Sequence, residues 1–328
     1  GLATRPPGPP ECVEWLLARP ISAGVSELPQ YLPSIARPLI NPDKPRPVSS
    51  ITDAYSLEVS AKDIAALTAA APRMVPAATI SIPYLPREDD DARLAAARAV
   101  RRLGFEPMPH FSARRVSSLA ELQSFVKRAV AEAGVERCFV IAGDPSTPMG
   151  PFPDSSSLIE TGVFEHSGIK VIGVGGHPDG HPVMSAADRW DVLERKCHSI
   201  KRRGMTPLIV TQFAFDADIV LTWLKALRER GIEHPVRVGV PGPAGVTVLA
   251  RYAALCGVSA CASMWSKYGV SIGKLFGTAG PDLFVDRLAT GLTEAHGKVS
   301  LHFFPFGGIA QSVRWIEQYR ARAEPLRF

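Results

Sequence analysis

No stretch of this chain approaches the roughly 20 uninterrupted apolar residues that a membrane-spanning helix needs, and its N-terminus shows no basic segment followed by an apolar one. The expectation is a soluble, cytoplasmic protein with no membrane partner. Cysteine is sparse: Cys12, Cys138, Cys197, Cys256 and Cys261 are odd in number and lack CxxC spacing, which argues against a disulfide framework or a zinc cluster. Neither GxGxxG after a strand-like run nor GxxxxGK followed by Ser or Thr occurs. The two common nucleotide-binding forms of an open α/β sheet therefore lose their main motif. Charge of one sign is barely in excess, 37 basic against 32 acidic residues, and the two signs are interspersed. The one short basic run, Lys201, Arg202 and Arg203, reads as a solvated helix end rather than a nucleic-acid contact.

What is present is alternation. Over 328 residues with 46% apolar composition, the chain can bury one barrel-sized core or two smaller ones, and composition does not change abruptly after about residue 50. Residues 1–50 carry many prolines and little periodicity, so they read as an extended arm with one short helix around 11–17. Eight short apolar runs follow, at 54–59, 77–82, 105–111, 137–142, 170–174, 208–213, 236–240 and 299–304. Between them lie helical patterns at 61–70, 89–103, 118–133, 155–164, 186–203, 216–230 and 246–256, more helix or loop across 263–292, and a last helix at 309–322. Ser118 and Glu121 resemble a capping box. Pro107 and Pro109 predict an irregular third strand. The count predicts a (β/α)8 TIM barrel over residues 51–328 with an N-terminal arm.

In such a barrel, chemistry sits where the strands stop. Glu58 ends the first run. It is either a carboxylate meeting solvent or a basic partner, or an acid whose pKa rises by desolvation toward roughly 6 or 7 in a closed mouth. Asp144, between Gly143 and Pro145, is either a turn residue or a carboxylate aimed at a ligand. His177 and His181 flank Pro178-Asp179-Gly180, a loop without the helical face of a metal-binding HExxH. Its glycine suits close approach of backbone to a cofactor, and no metal is expected. Gln212 is buried by pattern and either ties strands together or meets a heterocycle with adjacent donor and acceptor atoms. His110 and His302 are core histidines or cofactor contacts.

Taken in order, these strand ends resemble the methylenetetrahydrofolate reductase family over roughly residues 54–320. Ser56-Leu57-Glu58, Pro109-His110, Ala142-Gly143-Asp144-Pro145, His177-Pro178-Asp179-Gly180-His181-Pro182 and Thr211-Gln212-Phe213-Ala214-Phe215-Asp216 carry the likeness, the last most specifically. The resemblance implies an FAD-dependent barrel in which NADH or NADPH and a tetrahydrofolate derivative use one flavin face in turn. The reaction would convert 5,10-methylenetetrahydrofolate to 5-methyltetrahydrofolate, or run in reverse in one-carbon catabolism. Glu58 would be the acid for N10. Gln212, Asp144 and Tyr252 would hold the folate. Ser81, His110, Gly143, Asp144, His177, His181, Arg195 and Lys196 would hold the flavin.

The departures from the family pattern are also specific. Ala142 stands where an Arg commonly precedes Gly-Asp, His177 replaces a Tyr, and Ala214 replaces a Phe. About five residues are added between Lys196 and Thr211, and no Asn-Arg follows His302-Phe303-Phe304. A folate-binding barrel that assists a methyltransferase, or methyl transfer to a corrinoid, remain alternatives, and a homo-oligomer or partner subunit stays open.

Overall fold

The computed structural model describes residues 51–85, 88–258, 268 and 278–323. The proline-rich arm and its expected helix lie outside them. Ten strands are described: β1 Ser56–Glu58, β2 Thr79–Ile82, β3 Glu106–Ser112, β4 Arg137–Ile141, β5 Val171–Gly176, β6 Thr206–Phe213, β7 Val236–Pro241, β8 Ala244–Gly245, β9 Thr278–Ala279 and β10 Val299–Phe304. Eight of them close a parallel barrel in the order β1-β10-β7-β6-β5-β4-β3-β2, and β8 pairs β9 as a separate antiparallel ladder. This is the (β/α)8 barrel that the alternation predicts; the small ladder was not foreseen.

Among the described residues, ten helices are interleaved with or follow the strands: α1 Ile64–Ala70, α2 Asp90–Arg102, α3 Leu119–Ala133, α4 Ser155–Ile159, α5 Val163–His166, α6 Ala186–Arg202, α7 Ala217–Glu229, α8 Val246–Cys256, α9 Asp282–Gly291 and α10 Ile309–Ala323. Their starts are set by local hydrogen bonding. Asp89 accepts from the Ala92 N–H at 2.8 Å, and Ser185 and Asp188 form a capping box at α6. The expected box at α3 is only half made. Ser118 Oγ accepts from the Glu121 N–H, but the Glu121 carboxylate accepts from the Ser117 N–H at 2.9 Å instead. The single helix expected over 155–164 is two short ones, because Gly162 at φ +80° turns the chain between them.

Two cores result. Helix faces and outward strand residues form the larger, while Met108, Phe139, Ile141, Leu208 and Val210 form a separate cluster inside the barrel. Gly173 makes room there: a Cβ on it would lie 2.5 Å from Phe139 Cδ2. β3 is regular despite its prolines, contrary to the sequence expectation. The Glu106 N–H donates to the Ala78 carbonyl on the β2 side. By strand alternation, Pro107 and Pro109 then turn their missing donors toward β4, whose pairing with β3 begins only at His110.

Candidate active site at the strand ends

β1 stops at Glu58, and its register with β2 sets Ser81 beside it. Glu58 is 6% exposed and has no hydrogen-bond or ion-pair partner among the described residues. Burial alone lifts its carboxyl from 4.5 to about 8. Ser81 Oγ is likewise buried without a partner. These two residues and Met108, His110, Val210 and His302 line a cavity of about 10 Å³, beside Phe139 and Phe304. That is room for one water.

The two imidazoles of the cavity are held neutral. Burial first, then His302 and Arg93, push His110 well below the usual histidine range. Burial and Arg237 bring His302 to about 3. His302 Nδ1 is hydrogen-bonded to Ser56 Oγ at 2.8 Å, and the His110 ring tilts against Phe139 with centroids 4.8 Å apart. The His110 carbonyl accepts from Arg93, a residue the strand-end reading missed. Arg93 is fully buried, pairs with Asp90 at 3.1 Å, and lies 4.1 Å from the Tyr84 ring. With no cation bonded to Glu58, a neutral carboxylic acid is its stable form near pH 7.

The loop after β4 brings up Gly143 and Asp144. Gly143 has φ +92°, and a Cβ there would lie 2.1 Å from Ser112 Oγ, so the turn requires glycine. Asp144 is held by Arg115 Nη2, 2.5 Å from Oδ1 and 2.6 Å from Oδ2. Arg115 comes from the turn that follows β3, and its neighbour Arg114 donates to the Pro153 and Pro145 carbonyls. Sequence reasoning missed both arginines, although the Arg-Arg pair directly after a strand end was a visible cue. Ala142 supplies no cation; Arg115 does.

Gln212 sits where the β6–β7 register shifts, and its Oε1 accepts the Phe213 N–H at 3.0 Å, satisfying the irregular backbone. Tyr252 on α8 stacks on Phe306 with centroids 4.0 Å apart, and Phe306 in turn meets Phe213 and Phe304. An aromatic rim therefore continues from β6 to β10.

Beyond β5, His177 and His181 meet edge to face at 4.8 Å. His177 is held neutral by burial and by positive neighbours that include Lys196 and Arg189. Lys196 is partly buried, has no hydrogen-bond or ion-pair partner among the described residues, and is lowered from 10.5 to about 8 mainly by burial. Its sequence neighbour Arg195 is exposed and pairs with Asp191 at 3.1 Å, so the structure does not bring Arg195 to the others. No group of three or more His, Cys, Asp or Glu side chains among the described residues could hold a metal.

A roomier cavity of about 440 Å³ lies outside the barrel between α6 and α7, beside the stacked Trp190 and Trp223. It shares His177 with the rim but contains none of the strand-end acids. We therefore place the candidate chemistry at Glu58 rather than in the larger space.

Among the described residues no helix is long and apolar enough to cross a membrane. Methylenetetrahydrofolate reductase 2 of Saccharomyces cerevisiae (strain ATCC 204508 / S288c) is 26% identical over 166 residues, which is 48% of this chain and 26% of that protein. The match thus spans about a quarter of the curated relative. Among solved structures, 3-dehydroquinate dehydratase from Aquifex aeolicus aligns at TM-score 0.45 and 10% identity, covering 83% of this chain and 100% of the other. Dihydropteroate synthase from Thermus thermophilus aligns at 0.46 and 13%, covering 82% and 95%. The family model for methylenetetrahydrofolate reductase matches residues 55–303, and the chain belongs to that family.

Proposed function

We propose that this chain interconverts 5,10-methylenetetrahydrofolate and 5-methyltetrahydrofolate, with FAD at the barrel rim and NADH or NADPH as electron donor in the reductive direction. The observation that carries the reading is Glu58: a buried, unpartnered carboxyl at a strand end whose pKa of about 8 keeps it protonated at neutral pH.

Three features fit the flavin. Ser81 Oγ lacks a partner inside the mouth, Gly143 sets the turn that presents Asp144, and the unpaired Lys196 ammonium suits a phosphate. Ser81, His110, Gly143, Asp144, His177, His181 and Lys196 would hold the group. Arg195 would join them only by leaving Asp191. When bound, FAD supplies hydride transfer between nicotinamide and folate.

Glu58 gives its proton to N10 of the folate. The bond from N10 to the bridging carbon breaks, leaving an N5 iminium that accepts hydride at the exocyclic carbon. Neutral His110 and His302 add no positive charge that would hold Glu58 ionised before this step. The Gln212 amide offers a donor and an acceptor to the pterin edge. Asp144, fixed by Arg115, would meet the folate and the flavin, and Tyr252 would pack on the substrate.

Anaerobic mixing of the flavin-loaded protein with NADH or NADPH should bleach the flavin absorbance, and methylenetetrahydrofolate should restore it. Bleaching that the folate cannot reverse would rule out this substrate. Absence of flavin binding would favour a folate-binding barrel without redox activity.

A further inference from the structure

The opposite end of the barrel holds a second cluster of charge. Thr79 begins β2, Arg137 begins β4, and Arg237 is the second residue of β7. All three stand at the amino ends of parallel strands, on the barrel floor. Arg237 Nη2 donates to Thr79 Oγ1 at 3.0 Å, and Arg137 Nη1 reaches the same oxygen at 3.5 Å. Two guanidinium groups thus converge on one hydroxyl.

Neither arginine has a carboxylate partner among the described residues. Arg137 Nε and Arg237 Nη1 are buried with no acceptor. The carboxylates at the adjoining strand starts are engaged elsewhere, Glu106 by Arg101 at 2.6 Å and Glu136 by Lys170 at 2.5 Å. Several other partly or fully buried arginines do have a carboxylate partner: Arg93 pairs with Asp90, Arg115 with Asp144, and Arg203 with Glu160 and Glu165, while Arg114 is met by the Pro153 and Pro145 carbonyls. Burial and the nearby Arg137 lower the Arg237 guanidinium to about 10. Two like charges partly withdrawn from water without a counter-charge are unfavourable, and a bound anion would remove that penalty.

We propose that the barrel floor binds a small oxyanion of phosphate size, held by the guanidinium groups of Arg137 and Arg237 and by the Thr79 hydroxyl. The planar donor forks match tetrahedral oxyanions better than they match a spherical halide. Both arginines remain partly exposed, which leaves the anion a route from solvent. The site lies at the barrel end opposite the rim, which Arg237 reaches through its field on His302, and a ligand that binds only the native state stabilises it by mass action.

The test is calorimetric titration of the full chain with inorganic phosphate at pH 7, alongside thermal unfolding in phosphate and in chloride at matched ionic strength. Wild-type protein should show saturable one-site binding and a phosphate-specific rise in unfolding temperature. Arg137→Met and Arg237→Met should each weaken binding about tenfold or more, while Lys196→Met should bind phosphate at the floor as wild type does. In phosphate-free buffer Arg237→Met should fold at least as stably as wild type, since a partly buried charge without a carboxylate partner has been removed. No saturable response in the wild type would overturn the proposal, whichever variants fold. So would a response lost in Lys196→Met but kept in both arginine variants.

Discussion

Replacing Glu58 by glutamine should make the ligand-free protein more stable, by an amount that grows with pH. Folding lifts this carboxyl from 4.5 to about 8 by burial alone. Between those values the native state holds a proton that the unfolded chain has released, so stability falls as pH rises. Each pH unit costs the native state about 1.4 kcal/mol, roughly 3 kcal/mol by pH 7 and about 4 kcal/mol by pH 8. Glutamine keeps the size and polarity but cannot ionise. Urea unfolding of both proteins at pH 5, 6, 7 and 8 should therefore show a stability gap that widens by about 1.4 kcal/mol per unit and levels off above pH 8. A gap that stays constant from pH 5 to 8 would mean that Glu58 titrates normally in the folded protein, and the acid role would lose its physical basis. A functional residue that destabilises its own fold is the expected signature of a site tuned for proton transfer.

Further outcomes follow from the same geometry. Lys196→Met should weaken flavin binding by about ten- to a hundredfold, and wild-type affinity should decline as pH rises past about 8, where the free amine loses its charge; fluorescence titration across pH 6 to 10 would show neither effect if Lys196 does not meet a phosphate. Gly143→Ala should cost about 2–4 kcal/mol in thermal unfolding, from the left-handed backbone and the clash with Ser112, whereas a change below about 0.5 kcal/mol would show that the loop can relax. Gly173→Ala should cost about 1–3 kcal/mol by crowding Phe139. Adding Phe139→Leu should recover part of that loss in a double-mutant cycle, and strictly additive losses would contradict the contact.

The parts of this molecule legible in its sequence are those fixed by period and by strand ends. Apolar runs stopped by Glu58, by Gly143-Asp144 and by Gln212-Phe213 gave the barrel and most of its rim, because a parallel strand covered on both faces must read as a short apolar run. What stayed hidden depends on packing between elements. Arg93 reaches the His110 carbonyl from α2, and Arg115 reaches Asp144 from the turn just past β3; neither lies on a strand. Arg195 and Lys196 are adjacent in sequence, yet about 100° of helix rotation sends one to Asp191 in solvent and the other inward. The two prolines of β3 suggested irregularity, since parity with respect to β4 cannot be known before the neighbour strands are placed.

Separating the two half-reactions of Glu58→Gln tests the proposed chemistry most directly. Under anaerobic stopped flow, the flavin-loaded variant should be reduced by NADH or NADPH at close to the wild-type rate, because that step needs no proton for N10. Its reoxidation by methylenetetrahydrofolate should slow by a factor of at least about a hundred. Reoxidation at the wild-type rate would show that Glu58 does not deliver the proton.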